Sequence, residues 1–171
     1  MSRVRRPLAA RPKGPRRRAF LLNLGEVHLY CVDGTNVVRV LWGYGGAEFR
    51  EQENSDCATL VESFAALCRG LGERIQVEVF FDGEGRGWGR VPRTPPNLRV
   101  RFSWEEAADG LILDRVRARA FGRDGSVTVV TADGELGRRA RTEGGRWLGL
   151  RAGDDLGRVL GDIERRFARP G

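Results

Sequence analysis

Residues 27–36 read Val27-His28-Leu29-Tyr30-Cys31-Val32-Asp33-Gly34-Thr35-Asn36. A short apolar run closed by an acid and a glycine predicts a buried strand over Val27–Asp33, with a turn where it ends. The same device returns twice downstream. Ile75–Asp82 is rich in β-branched and aromatic residues and closes on Phe80-Phe81-Asp82-Gly83, and Val127–Thr131 runs into Ala132-Asp133-Gly134.

Between and after these strands the period changes. Cys57, Leu60, Val61, Phe64, Leu67, Cys68 and Leu71 recur at three and four residues, predicting a helix from Asp56 as N-cap to stops at Gly70 and Gly72. Leu98–Phe102 alternates as a third strand. Ser103 and Glu106 have capping-box spacing and open a helix to about Phe121. A short helix follows at Glu135–Thr142, a fifth strand at Arg146–Leu150, and a last helix from near Asp154 with Leu156, Val159, Leu160, Ile163 and Phe167 as its stripe. Residues 34–55 keep no period and predict a loop with a short strand around Val37–Leu41. Strands alternating with helices predict a three-layer α/β, Rossmann-like domain with a mainly parallel sheet of about five strands.

Composition narrows the class. The chain has 171 residues, 40% of them hydrophobic, and no run approaches a membrane span. Three cysteines, Cys31, Cys57 and Cys68, with one histidine and no ligand spacing argue against a zinc site or a disulfide scaffold, and suit a reducing cytoplasm. His28, flanked by apolar residues of the first strand, reads as a buried structural histidine. The net charge of +7 is concentrated at the front, because residues 1–18 carry Arg3, Arg5, Arg6, Arg11, Lys13, Arg16, Arg17 and Arg18 and no acid. Residues 1–19 are therefore expected to be a disordered basic tail, able to neutralise nucleic-acid phosphates, and 20–171 a single domain. Arg17-Arg18 before an apolar stretch imitates an export signal, but Glu26, His28 and Asp33 interrupt that stretch and argue against secretion.

Chemistry concentrates at strand ends. In a parallel sheet the carboxyl ends share one edge, where ligands bind, so Asp33, Asp82 and Asp133 are expected to converge there. Asp109, early in the helix after the third strand, is expected to join them. Aspartates also cap helices and open turns, a reading that competes most strongly for Asp82. Carboxylates without histidine or thiolate are hard oxygen donors and select Mg²⁺ or Mn²⁺, ions that activate water and neutralise charge on a phosphate. The loop Gly83–Arg90 displays Arg86, Trp88 and Arg90, an arginine and indole pattern suited to phosphate contact and base stacking. Arg138 reads either as a solvated helix face or as a phosphate contact. The sequence offers no paired nucleophile and no Walker loop.

Four segments together resemble a family. Val32-Asp33-Gly34-Thr35-Asn36 is similar to the "DGYN" opening of NYN domains, the PIN-like nucleases, and Phe80-Phe81-Asp82-Gly83 to their second-strand signature. Val100-Arg101-Phe102-Ser103 with Ala108-Asp109 and Ile112 resembles the "V-x-F-S…AD-x-x-I" segment of the YacP-like branch, and Thr131-Ala132-Asp133-Gly134-Glu135-Leu136 the "TSD-x-x-L" segment. The resemblance implies a PIN-like fold and a metal-dependent enzyme that cuts single-stranded RNA internally. It places the metal on Asp33, Asp109 and Asp133, Asp82 at the catalytic rim, and Asn36 and Thr131 as residues orienting the acids or the substrate phosphate. Whether a ribosome presents the RNA stays open. Thr35, Ala132 and Gly110 depart from the family pattern, where a tyrosine, a serine and a second acid are usual. Gly110 leaves a catalytically inactive RNA-binding module as the alternative. A phosphatase of the haloacid dehalogenase type would need an aspartate where Cys31 stands.

Overall fold

The computed structural model describes residues 26–44, 50–84, 92–104, 107–122 and 125–168. In chain order these form β1 (His28–Asp33), α1 (Gly34–Trp42), α2 (Arg50–Leu71), a 3-10 turn (Gly72–Arg74), β2 (Ile75–Phe81), β3 (Leu98–Phe102), α3 (Ala108–Gly122), β4 (Val127–Thr131), α4 (Gly134–Thr142), β5 (Arg146–Gly149) and α5 (Leu156–Phe167). The strands lie in the order β3-β2-β1-β4-β5, and every neighbouring pair is parallel. The expected three-layer α/β architecture is present, with a sheet that is parallel throughout. Among the described residues no helix is long and apolar enough to cross a membrane.

Strand alternation feeds two cores. Tyr30, Val32, Val77, Val79 and Phe81 face α1, α2 and α5, while Leu29, Cys31, Phe80 and Val129 face α3 and α4. Side chains two apart share a face, so one strand supplies both layers. Cys57 and Cys68 sit on the buried stripe of α2, and all three cysteines are free. His28 is buried with both ring nitrogens engaged, Nε2 by Thr128 Oγ1 at 2.8 Å and Nδ1 by Ser126 Oγ at 2.5 Å.

Three local expectations are corrected. The stretch after β1 is a helix, not a loop with a strand: Val37 and Val38 are buried against α2, and Asp33 caps the first turn. Burial of one face overrides the β-branched propensity of Val37-Val38 and Val40. The second helix begins at Arg50 rather than at Asp56, because its first turns are polar and carry no apolar period to read. Asp56 is buried there and accepts the Tyr44 hydroxyl. The helix after β3 opens at Ala108, and Ser103 does not cap it; the Ser103 hydroxyl accepts the Gly83 N–H at 3.3 Å instead. The basic tail and Arg86, Trp88 and Arg90 lie outside the described residues.

Two contacts fix the layer that carries α3 and α4. Glu78, fully buried on β2, receives Arg115 of α3 through Nη2–Oε1 at 2.6 Å and Nε–Oε2 at 3.1 Å, and Arg101 of β3 through Nε–Oε2 at 2.7 Å. On the other side the Trp147 indole lies flat over Gly137 of α4, where an added Cβ would come within 2.2 Å of the ring. Removing one partner of a buried ion pair leaves an uncompensated charge, so Arg115→Ala is expected to cost about 3 kcal/mol in urea unfolding. A loss below about 0.5 kcal/mol would show that Arg101 alone suffices for Glu78.

Candidate functional site

The sheet order reverses between β1 and β4, and open α/β sheets bind ligands in the crevice outside the carboxyl ends at such a point. Asp33 ends β1 there, Asp82 follows β2, Asp133 follows β4, and Asp109 lies in the first turn of α3.

Each acid meets a helix N-terminus. Asp33 caps α1, accepting the Asn36 N–H at 3.4 Å. Asp133 caps α4, its Oδ1 accepting from Glu135 N at 2.7 Å and Leu136 N at 3.1 Å. Asp82 reaches across from β2 to cap α3, accepting the Ala108 N–H at 3.0 Å. The capping role therefore holds for Asp33, Asp82 and Asp133, all at the same edge of the sheet. Helix N-termini favour negative charge and moderate the mutual repulsion of the acids.

Asp33 is the most constrained, at 4% exposure. The Thr131 hydroxyl donates to its Oδ2 at 2.9 Å, lies 3.2 Å from Asn36 Oδ1, and accepts the Asp133 N–H at 3.0 Å. Asn36 Oδ1 also accepts the Ala132 N–H at 2.8 Å. Thr131 and Asn36 thus spend their polar atoms on locking β4 to the Asp33 carboxylate. Burial pushes the Asp33 carboxyl up to about 6; the hydrogen bonds from Thr131 and Asn36 oppose the rise, and the charges of Asp109 and Asp82 add to it. The Asp109 carboxyl is raised as well, by burial first and then by Asp133 and Asp82, with Arg139 acting the other way and Glu135 adding to the rise. Asp33 and Asp109 thus both feel the charges of the neighbouring acids at this edge. Among the described residues none of the four carboxylates takes part in an ion pair.

The donor set is oxygen only, uncompensated and partly desolvated, which is the chemistry a hard divalent cation offsets. No three His, Cys, Asp or Glu side chains among the described residues stand close enough to hold a metal as arranged here. Occupancy would require the carboxylates to draw together. Gly110, where the resemblance to NYN domains leads one to expect an acid, faces open space. Asp114 pairs with Arg117 on the exposed side of α3 and is absent from the charges that act on Asp33 and Asp109.

Several contributors were not singled out from the sequence. Thr35 accepts the Asp82 N–H at 2.9 Å and so ties the end of β2 to α1. Glu135 adds charge beside Asp109. Trp104 stands 62% exposed just past β3, with a left-handed backbone at φ 56°, and its N–H donates to the Gly83 carbonyl at 3.0 Å. A bulky residue at positive φ is a strained choice. Trp104 was legible only as one of four tryptophans. It borders a hollow of about 370 Å³ with Phe102, Leu111, Arg101 and Arg115. A second hollow, about 390 Å³, opens beside Ala132 with Arg141, Trp147 and Arg151. Arg138 is exposed on α4, its guanidinium beside Gly134.

No family model and no curated protein matches the sequence. Among solved structures, the crystal structure of a single-substitution variant of Rae1 (YacP) from Bacillus subtilis aligns at a TM-score of 0.59 and 22% identity, over 84% of this chain and 80% of that one. A second Rae1 (YacP) structure from the same organism aligns at 0.55 and 22% identity, over 82% and 78%. The chain shares its fold with that protein.

The raised Asp33 carboxyl has a consequence for stability. Between its unfolded value near 3.8 and its folded value of about 6 the folded Asp33 keeps a proton that the unfolded chain releases, so the contribution of this group to stability falls as pH rises through that window and levels off above it. Asp33→Asn is expected to remove this contribution in EDTA, leaving the rise in stability that the depressed His28 contributes between about pH 4 and 6.5, and to be more stable than the parent at pH 7, by on the order of 3 kcal/mol. Urea unfolding from pH 3.5 to 7.5 measures it, and an unchanged slope in the variant would place the titrating group elsewhere.

Proposed function

We propose that the chain is an endoribonuclease that cuts single-stranded RNA with Mg²⁺ or Mn²⁺, as the NYN and YacP-like motifs imply. The observation that carries this reading is the group of four carboxylates at the switch-point crevice, none of them paired with a basic side chain among the described residues. Asp33, Asp109 and Asp133 would hold the cation, with Asp82 at the rim. Bound there, the ion would supply activation of water and neutralisation of charge on the phosphodiester.

The chain's own residues prepare the site. Thr131 and Asn36 hold the Asp33 carboxylate in one orientation, and the N-terminus of α4 does the same for Asp133. Trp104 offers an exposed indole on the β3 side, on which an unpaired base would stack. Arg141 and Arg151 on the β5 side, with Arg138 on α4, would meet backbone phosphates, and Arg86, Trp88 and Arg90 would extend that grip. Buried, unpaired cysteines suit a cytoplasmic enzyme. A ribosome is one partner that would present such an RNA.

Gly110 favours a second reading, a module of this fold that binds RNA without cutting it. Its position is open enough for an aspartate side chain.

The test is end-labelled single-stranded RNA with Mn²⁺, Mg²⁺ or EDTA. Metal-dependent internal cuts are expected, with Asp33→Asn and Asp133→Asn losing about a hundredfold or more in rate while RNA affinity stays within about twofold. Trp104→Ala is expected to weaken RNA binding by about tenfold without changing the metal requirement. Binding without cuts under every metal, in the parent and in Gly110→Asp alike, would establish the second reading.

A further inference from the structure

The other edge of the sheet is built with the opposite charge. Where β1 and β5 begin and α5 ends, a cavity of about 410 Å³ is lined by His28, Tyr30, Arg146, Arg166 and Phe167, with no carboxylate among them. The Phe167 ring stands edge-on to both His28 and Tyr30 and walls one side. Arg146 and Arg166 are exposed, and neither is in an ion pair among the described residues. The α5 terminus does not consume them, because Arg74 donates to the Phe167 carbonyl at 3.0 Å.

Tyr30 is the anomaly. Its side chain is fully buried at the floor of this cavity, and its hydroxyl makes no hydrogen bond of normal geometry, although the Arg166 guanidinium stands close enough to act on it. A buried, unpaired hydroxyl forfeits about 1–3 kcal/mol, and such groups call for an explanation such as a bound ion. The surroundings state the sign of that ion. Burial and then the charges of Arg146, Arg166 and Arg119 push the His28 imidazole down to about 4, so the ring is neutral and the field over the cavity is set by guanidinium groups. Arginine suits phosphate oxygens through its planar fork of donors.

We propose that this amino-edge cavity is a phosphate-binding site, in which the Tyr30 hydroxyl donates to a phosphate oxygen and Arg146 and Arg166 close over the remaining ones. It is separate from the acids, since His28 and Asp33 stand at opposite ends of β1, about 16 Å apart at the usual strand rise. It does not depend on the nuclease reading. The phosphate belongs either to a small phosphomonoester or to the backbone of an RNA. The basic tail, residues 1–18, precedes β1 in sequence, and β1 begins at this edge.

Thermal unfolding of the full chain in EDTA tests the site, with inorganic phosphate, a nucleoside 5′-monophosphate, and a single-stranded oligoribonucleotide lacking terminal phosphates, each against chloride at equal ionic strength. At least one ligand is expected to raise Tm by a few degrees at about tenfold over its Kd. The oligonucleotide acting alone identifies backbone phosphate; inorganic phosphate and the monophosphate acting identify a phosphomonoester. Arg146→Ala, at an exposed position, is expected to lose most of the rise while matching the parent without ligand, Tyr30→Phe to lose most of the rise from a starting Tm at or above the parent's, and Asp33→Asn to keep the rise. The proposal is overturned if no ligand exceeds chloride, or if Arg146→Ala and Tyr30→Phe respond as the parent does.

Discussion

A carboxylate held out of water at the end of the central strand sets the terms for everything around it. Asp33 sits where the sheet reverses direction, and its burial is tolerated because the first turn of α1, the Thr131 hydroxyl and the amide of Asn36 surround it. Those same contacts lock β4 to β1 at their carboxyl ends. Thr131 then passes the constraint to Asp133 through the backbone, and Thr35 passes it to Asp82. The acids are thus placed by one continuous set of hydrogen bonds rather than by four independent loops.

Behind that edge the scaffold is stiffened where the acids need it. Asp109 rides on α3, and α3 is tied to the sheet by the two-bond grip of Arg115 on Glu78. Asp133 opens α4, and α4 is seated by Trp147 packed on Gly137, with the indole N–H donating to the Thr131 carbonyl at 3.0 Å. A side chain added at Gly137 would push the tryptophan away from the strand that holds Asp33. Charge is also divided along the strands, with acids where β1, β2 and β4 end and arginines where β1 and β5 begin. Two anionic groups on one ligand would meet very different fields at the two edges, repelled at one unless a cation intervenes and attracted at the other.

The strands and the apolar stripe of α2 were legible because their periods of two and of three to four are consequences of backbone geometry and burial, which a linear pattern records. So was the placement of Asp33, Asp82 and Asp133 at one edge, since a parallel sheet has no other place for the ends of β1, β2 and β4. The first helix was not, because Val37, Val38 and Val40 favour strands until α2 packs on them. The start of α2 was not, because Glu51 to Ser55 are polar and carry no apolar period. Capping was misread for a related reason: Ser103 has the right spacing, but Asp82 from another strand takes the Ala108 N–H first.

Local pattern therefore determined the alternation of strands and helices, the parallel sheet and the acids at its end, all of which follow from neighbours in the chain. The pairing of Glu78 with Arg115 over 37 positions, the sharing of Thr131 between Asp33 and Asp133, the exposed and strained Trp104, and the buried Tyr30 hydroxyl among arginines were decided in three dimensions. Each depends on groups distant in sequence competing for the same few buried donors and acceptors, and no linear spacing encodes who wins that competition.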